Sequence, residues 1–250
     1  MTTTRKTIIA AALCLVTGLG GANIACAQNT QGQSAPYTIA STEDFTVTGD
    51  GSNSAWEGAQ WLEMTPRRPA GEGKAFTTRL KAMYSGEGIY FLFDCADTQI
   101  TATMEADFLD LWTEDVVEVF LMPDESDPTY FEYEISPLNY ELPILISNLG
   151  GDLTRWMPFH YDADRRVAHQ TSVTGGEKVS GASITGWKAE FFIPFKLLRP
   201  LNNLPPKKGD TWRANFYRID RAGEASGSWS WQLTTTNFHD YSSFGTIVFD

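Results

Sequence analysis

Carboxylates are the first residues of this 250-residue chain whose spacing points to chemistry. Glu105, Asp107, Asp110, Glu114, Asp115 and Glu118 fall within 14 residues. Glu114 or Asp115 together with Glu118 could serve as the acid and base of a glycoside hydrolase. Hard oxygen ligands there, and at Asp124, Glu125 and Asp127, could instead hold a structural calcium ion, although no segment has the spaced oxygen pattern of a calcium loop. In a chain whose formal charge is −12, a solvated acidic loop is the plainer reading. Other catalytic signatures are missing, and no motif requires a cofactor. Gly181-Ala182-Ser183-Ile184-Thr185 lacks the second glycine of a nucleophile elbow. His160, His169 and His239 have no His-x-x-x-His spacing for zinc. Met104, Met122 and Met157 with His160 and His239 offer residue types for axial haem ligation in an electron-transfer sandwich, but nothing marks a pair among them.

Aromatic residues carry a sharper signal. They make up 13% of the chain and eight are Trp, too many to be spent on anything but the core in most cases. Two lie elsewhere: Trp112 in the acidic loop before the run 116–121, and Phe238 in the polar loop Thr234-Thr235-Thr236-Asn237-Phe238-His239. A large ring on a polar loop costs solvation unless it packs or binds something. The apolar face of a neutral pyranose suits such a ring, while its hydroxyls seek carboxylates and amides.

The elements that must position these residues read as strands. Apolar runs are short, β-branched or aromatic, and punctuated by Gly, Asp, Asn and Pro. Alternation assigns faces. Val117, Val119 and Leu121 oppose Val116, Glu118 and Phe120; Phe131, Tyr133 and Ile135 oppose Tyr130, Glu132, Glu134 and Ser136. Trp212, Ala214 and Phe216 oppose Arg213, Asn215 and Tyr217, and Trp187, Ala189, Phe191 and Ile193 share a side. Many half-buried strands without long helices predict an all-β antiparallel sandwich, immunoglobulin- or jelly-roll-like. Asp50-Gly51 and Gly86-Glu87-Gly88 read as turns, and 147–186 as loops and short edge strands.

Residues 1–27 read as a secretory signal: Arg5 and Lys6, then an apolar run from Ile8 to Val16, then Ala25-Cys26-Ala27 for cleavage. The run is too short, and too broken by glycine, to span a bilayer, so no transmembrane helix is expected in the mature protein. Acylation at Cys26, making a lipoprotein, is the alternative. Residues 28–36 form a polar tether and 37–250 the sandwich, with no linker that would justify another domain. Losing Arg5 and Lys6 takes the charge to −14, which repels nucleic acid as a partner. Cys95 then remains without an internal disulfide partner, so the fold relies on burial.

From about Phe45 to Asp250 the chain resembles the family 9 carbohydrate-binding modules. The matching pieces are Asp50-Gly51 with Ala55-Trp56, Leu80 to Asp97, Trp112 to Phe120, Trp187-Lys188-Ala189-Glu190 with Ile193-Pro194-Phe195, Asn215 to Arg218, and Phe238-His239 ahead of Phe244-Gly245. The resemblance implies a sandwich that clamps the end of an oligo- or polysaccharide between two rings. Trp112 matches one ring by standing six residues before Glu118, and Phe238 matches the other, six before Phe244. Glu118 matches a polar sugar contact; Glu134 and Ser136 fall at further contact positions with altered residue types; Asn215 and Tyr217 lie on a strand that supplies another. The alternative role for Glu118 and Glu134 is pairing with Arg213 or Arg218. The resemblance thus implies an exported protein, periplasmic or extracellular, that binds saccharide during polysaccharide catabolism and is itself non-catalytic.

Overall fold

Period-two alternation governs the strands of the computed structural model, which describes residues 35–67, 76–223 and 226–250. The leader 1–27 with Cys26, and the tether up to residue 34, lie outside these residues. In chain order the strands are β1 (Tyr37–Ser41), β2 (Leu62–Glu63), β3 (Thr65–Pro66), β4 (Thr78–Tyr84), β5 (Gly88–Ala96), β6 (Val116–Met122) and β7 (Thr129–Ile135). They continue with β8 (Glu141–Leu149), β9 (Asp152–Pro158), β10 (Ala168–Thr174), β11 (Gly186–Pro194), β12 (Thr211–Asp220), β13 (Gly227–Ser230) and β14 (Gly245–Phe249). The helix α1 is a single turn, Phe195–Leu198. None of the helices among the described residues is long and apolar enough to cross a membrane.

Hydrogen bonding runs in the order β10-β11-β5-β4-β1-β14-β12-β6-β7-β8-β9. This path folds into two sheets at β1. Tyr37–Ile39 pair with β14, and Ala40–Ser41 pair with β4. Both pairings are parallel, the one departure from the antiparallel pattern among the described residues. Side-chain alternation carries no information on strand direction, so the sequence had no means of marking it. Parallel neighbours cannot be joined by a hairpin, and both partners of β1 lie far along the chain.

Between the sheets lies a core containing every inward residue read from alternation on β6, β7, β11 and β12. Arg218 also faces inward. It donates to Asp97 and Asp220 at 2.9 Å each, to Thr78 Oγ1 at 3.0 Å and to the Ala96 carbonyl at 2.7 Å, so it pairs with neither Glu118 nor Glu134. The outer face of the β6–β7–β12 sheet is a second apolar cluster, including Val116, Phe120, Tyr130, Ile144 and Tyr217. Residues 147–186 contribute β9 and β10, the two outer strands of the path. Cys95 is buried, and its thiol is pushed up to about 12 by desolvation, which makes it inert.

Asp50-Gly51 belongs to a loop gathered around Glu190 rather than to a hairpin. Glu190 Oε2 accepts from the Thr48 amide and hydroxyl at 2.9 Å, from Gly49 N at 2.7 Å and from Gly51 N at 3.2 Å. Its Oε1 accepts from Trp56 Nε1 at 2.9 Å. Gly49 and Gly51 hold φ of +87° and +70°, the left-handed conformation that points successive amides at one acceptor.

A cleft lined by two tryptophans and three buried glutamates

Register decides what the outer face of β6 and β7 presents. Tyr217 stands opposite Glu118 across β12 and β6, and Glu118 opposite Glu134 across β6 and β7. One rung further along, Phe120 pairs with Glu132 and Glu132 with Ile144. Glu118, Glu132 and Glu134 are 1%, 4% and 0% exposed, so the carboxyl-bearing face of these strands is a buried floor. Above it opens a cleft of about 710 Å³, lined by these glutamates together with Trp112, Phe238, Trp156, His239, Arg67 and Arg221 among others.

Trp112 sits in a 3-10 turn, Leu111–Thr113, whose Leu111 is buried and whose indole is left 45% exposed. The following residues lock that turn. Glu114 accepts from the amides of Thr103 and Met104 and from the Thr103 hydroxyl. Asp115 accepts from Thr101 N at 2.6 Å and Arg221 N at 2.8 Å. Neither carboxylate lines the cleft, so the hydrolase pair with Glu118 is not assembled. Burial opposes ionisation of Glu114, but its hydrogen bonds win and hold its pKa below the usual value. Asp115 is pushed up to about 7 by burial.

Phe238 lies flat on Tyr217, with ring centroids 4.1 Å apart and planes 6° from parallel. The Tyr217 hydroxyl donates to the Phe238 carbonyl at 2.7 Å. The Arg67 guanidinium is 4.6 Å from the Phe238 centroid and 6.0 Å from that of Tyr217. On the far face of Phe238 its distance to Tyr217 would approach the sum of the two shorter distances, so it stands beside the stacked pair. Asn215 is saturated: its Oδ1 accepts from Phe216 N and Gln232 N, and its Nδ2 donates to the Gln232 carbonyl and Tyr217 Oη. Asn215 and Tyr217 therefore support the Phe238 loop from below and do not line the cleft. Ser136 falls outside it too, because β7 ends at Ile135 and the Ser136 hydroxyl caps the following turn by accepting from Tyr140 N at 3.3 Å.

Four functional candidates escaped the sequence reading. Glu132 shares its face with Glu134, and alternation alone could have identified it as a site residue. Trp156, 45% exposed, arrives on the outer strand β9, opposite Ile146. Arg67 follows β3, which is held by β13, and Arg221 follows β12; no local pattern points either toward Glu118.

Burial pushes all three floor carboxyls upward. Glu132 rises to about 8, and the charge of Glu132 further raises Glu118, against a smaller downward pull from Arg67 and Arg221. Glu134 rises through burial and then through Glu118 and Glu132. His239 lies 2.8 Å from Tyr130 Oη and 4.0 Å from Glu132; burial lowers it to about 4, so it is neutral near pH 7.

The candidate haem ligands do not converge. Met122 is buried, Met157 is 47% exposed, His160 stacks on Phe108, and of the five only His239 lines the cleft. Among the described residues no group of three or more His, Cys, Asp or Glu is arranged to hold a metal ion. Asp124, one of the candidate calcium ligands, accepts from the amide and hydroxyl of Ser126.

Comparison with known proteins follows the same outline. A protein of Arthroderma benhamiae named as an extracellular protein is 30% identical over 148 residues, covering 56% of this chain and 63% of the relative. The match thus spans less than two thirds of that relative. A candidate carbohydrate-binding protein of Bacteroides uniformis has the same fold, with a TM-score of 0.72 at 16% identity over 86% of this chain and 99% of its own. A family 9 module of Caldicellulosiruptor kristjanssonii, solved with cellotriose, has a TM-score of 0.58 at 16% identity, covering 86% and 94%. The same source gives a glucose complex with a TM-score of 0.59 at 15% identity, covering 86% and 96%. The profile of the carbohydrate family 9 binding domain-like family matches residues 47–250, and the chain belongs to that family.

Proposed function

We propose that this chain is an exported, non-catalytic saccharide-binding protein that holds the end of a sugar chain in the cleft above β6 and β7, in the service of polysaccharide breakdown. The observation that carries this reading is the shared cleft. Trp112 and Phe238 line it together, over carboxyls able to meet hydroxyl groups. A pyranose stacks its C–H face on an exposed indole, and Tyr217 keeps the Phe238 ring from folding away. Family membership and the sugar complexes of the C. kristjanssonii module support the class of ligand. The extracellular name of the A. benhamiae relative supports export.

The test is retention on a panel of immobilised oligo- and polysaccharides, followed by Trp112→Ala. A sugar covering about 100 Å² of indole gains about 2.5 kcal/mol, so the variant loses about 60-fold in affinity. Its melting temperature stays within about 2 °C, because a half-exposed ring contributes little to folding. Unchanged retention refutes the role of this ring, and retention on nothing in the panel refutes the saccharide reading.

A further inference from the structure

The cleft floor is built of three buried carboxyls. Apart from a proton that Glu132 and Glu134 can share, Glu118 Oε1, Glu132 Oε2 and both carboxyl oxygens of Glu134 have no partner within hydrogen-bonding geometry, and all three side chains are more than nine-tenths buried. The Trp112 amide approaches Glu134 without closing a bond of that geometry. Glu118 and Glu134 are directly opposed across two strands, an arrangement that repels when both are charged.

Arg218 and Arg213, the cations expected to neutralise them, are occupied elsewhere. Arg218 faces the core and is held by Asp97 and Asp220. Arg213 donates to Thr246 Oγ1 and the Ser242 carbonyl, at 3.4 Å each. His239 is uncharged at neutral pH. Arg67 stands beside Phe238 and Arg221 donates to the Trp112 carbonyl at 3.4 Å; both also line the cleft, and their pull on Glu118 is smaller than the push of burial.

Burial favours the protonated form of these carboxyls, and a donor-only cation is the group against which they ionise and accept. A hydroxyl brings one hydrogen and no charge, so it leaves them protonated. An ammonium brings three hydrogens, no lone pair, and the positive charge that lets buried carboxyls release their protons to water and accept. The walls suit the same group, since Trp112 and Trp156 both present exposed indole surface that attracts cations. A uronic acid would bring a carboxylate to a floor whose own carboxyls already resist ionisation. We infer that the cleft selects an amine-bearing saccharide of the glucosamine type, with its ammonium seated among Glu118, Glu132 and Glu134 and its ring against Trp112. This rests on the saccharide reading and narrows it, replacing the wholly neutral sugar that the loop aromatics alone imply.

Titration calorimetry on the purified protein decides the matter with three β-1,4-linked trisaccharides: cellotriose, the glucosamine trimer and the N-acetylglucosamine trimer. At about pH 6 a sugar amine is protonated, as an α-amino group is. The glucosamine trimer binds at least about tenfold tighter than cellotriose, the gain expected of charge-assisted hydrogen bonds. The acetylated trimer, which keeps the nitrogen without its charge, shows no such gain. In Glu134→Gln the ratio of glucosamine-trimer to cellotriose affinity shrinks toward one. The three-sugar comparison on the unaltered protein decides the question even if that variant does not fold. Equal affinity for the glucosamine trimer and cellotriose, or equal gain from the acetylated trimer, overturns the amine inference and leaves the saccharide reading standing. Binding of none of the three also overturns it, and the wider sugar panel then decides the saccharide reading separately.

Discussion

Replacing Glu132 by Gln exchanges a carboxyl that must stay protonated to remain buried for an amide that is always neutral. Burial raises the Glu132 pKa from 4.5 to about 8. The unfolded chain therefore releases this proton at lower pH than the folded one. Between those values the folded state holds more protons, and stability falls as pH rises from 4.5 to about 8, then levels off. At about 1.36 kcal/mol per pH unit the full rise corresponds to about 5 kcal/mol. That figure is a ceiling, because Glu118 and Glu134 titrate together with Glu132. Asp115 and Glu141, each pushed up to about 7, and Asp220, pushed up to about 6, tilt the curves of wild type and variant alike and cancel in the difference. The assay is urea denaturation from about pH 5 to about pH 8.5, with the m-value as a check on two-state unfolding. The two proteins should agree within about 1 kcal/mol at the acid end, where an amide replaces a protonated carboxyl of the same shape. At the alkaline end Glu132→Gln should be the more stable by about 2–5 kcal/mol. Parallel curves would refute the claim that this carboxyl is held neutral by burial.

Glu190→Gln leaves the amides of Thr48 and Gly49 facing a group that cannot accept equally well, and chemical denaturation should register a loss of about 2–4 kcal/mol with sugar retention preserved in the folded fraction. Arg218→Met strands Asp97 and Asp220 in the core without their counter-charge and should cost about 3–5 kcal/mol at neutral pH, measured the same way. Tyr217→Phe keeps the ring beneath Phe238 but removes the 2.7 Å hydrogen bond to its carbonyl. Calorimetry should show sugar affinity reduced about fivefold, in line with one neutral hydrogen bond.

Faces were legible in the sequence and walls were not, for the same physical reason. Alternation is local, so the inward sets on β6, β7, β11 and β12 can be read without knowing any neighbour. Alternation also overruns its strand. It carries Ser136 onto the face of Glu134, although β7 stops one residue earlier and Ser136 serves the turn. Asn215 and Tyr217 are on the right face, but the segment around Gln232 to Phe238 lies over them, and a segment so far along the chain has no local signature of its landing place. Trp156 depends on the pairing of β8 with β9, whose register shifts at Ser147/Asn148. Glu132 lies on the polar face of β7 beside Glu134, and alternation does not say whether such a carboxyl is buried or wet.

Glu190 and its ring of donors stand on β11, on the side of the sandwich turned away from the Trp112 cleft. Much of what makes this chain recognisable, from Asp50-Gly51 and Trp56 to Glu190, is thus masonry on the back wall. Substitutions in the front opening can retune which sugar is taken without disturbing that masonry. Two proteins sharing every stone of it can therefore prefer sugars of different charge.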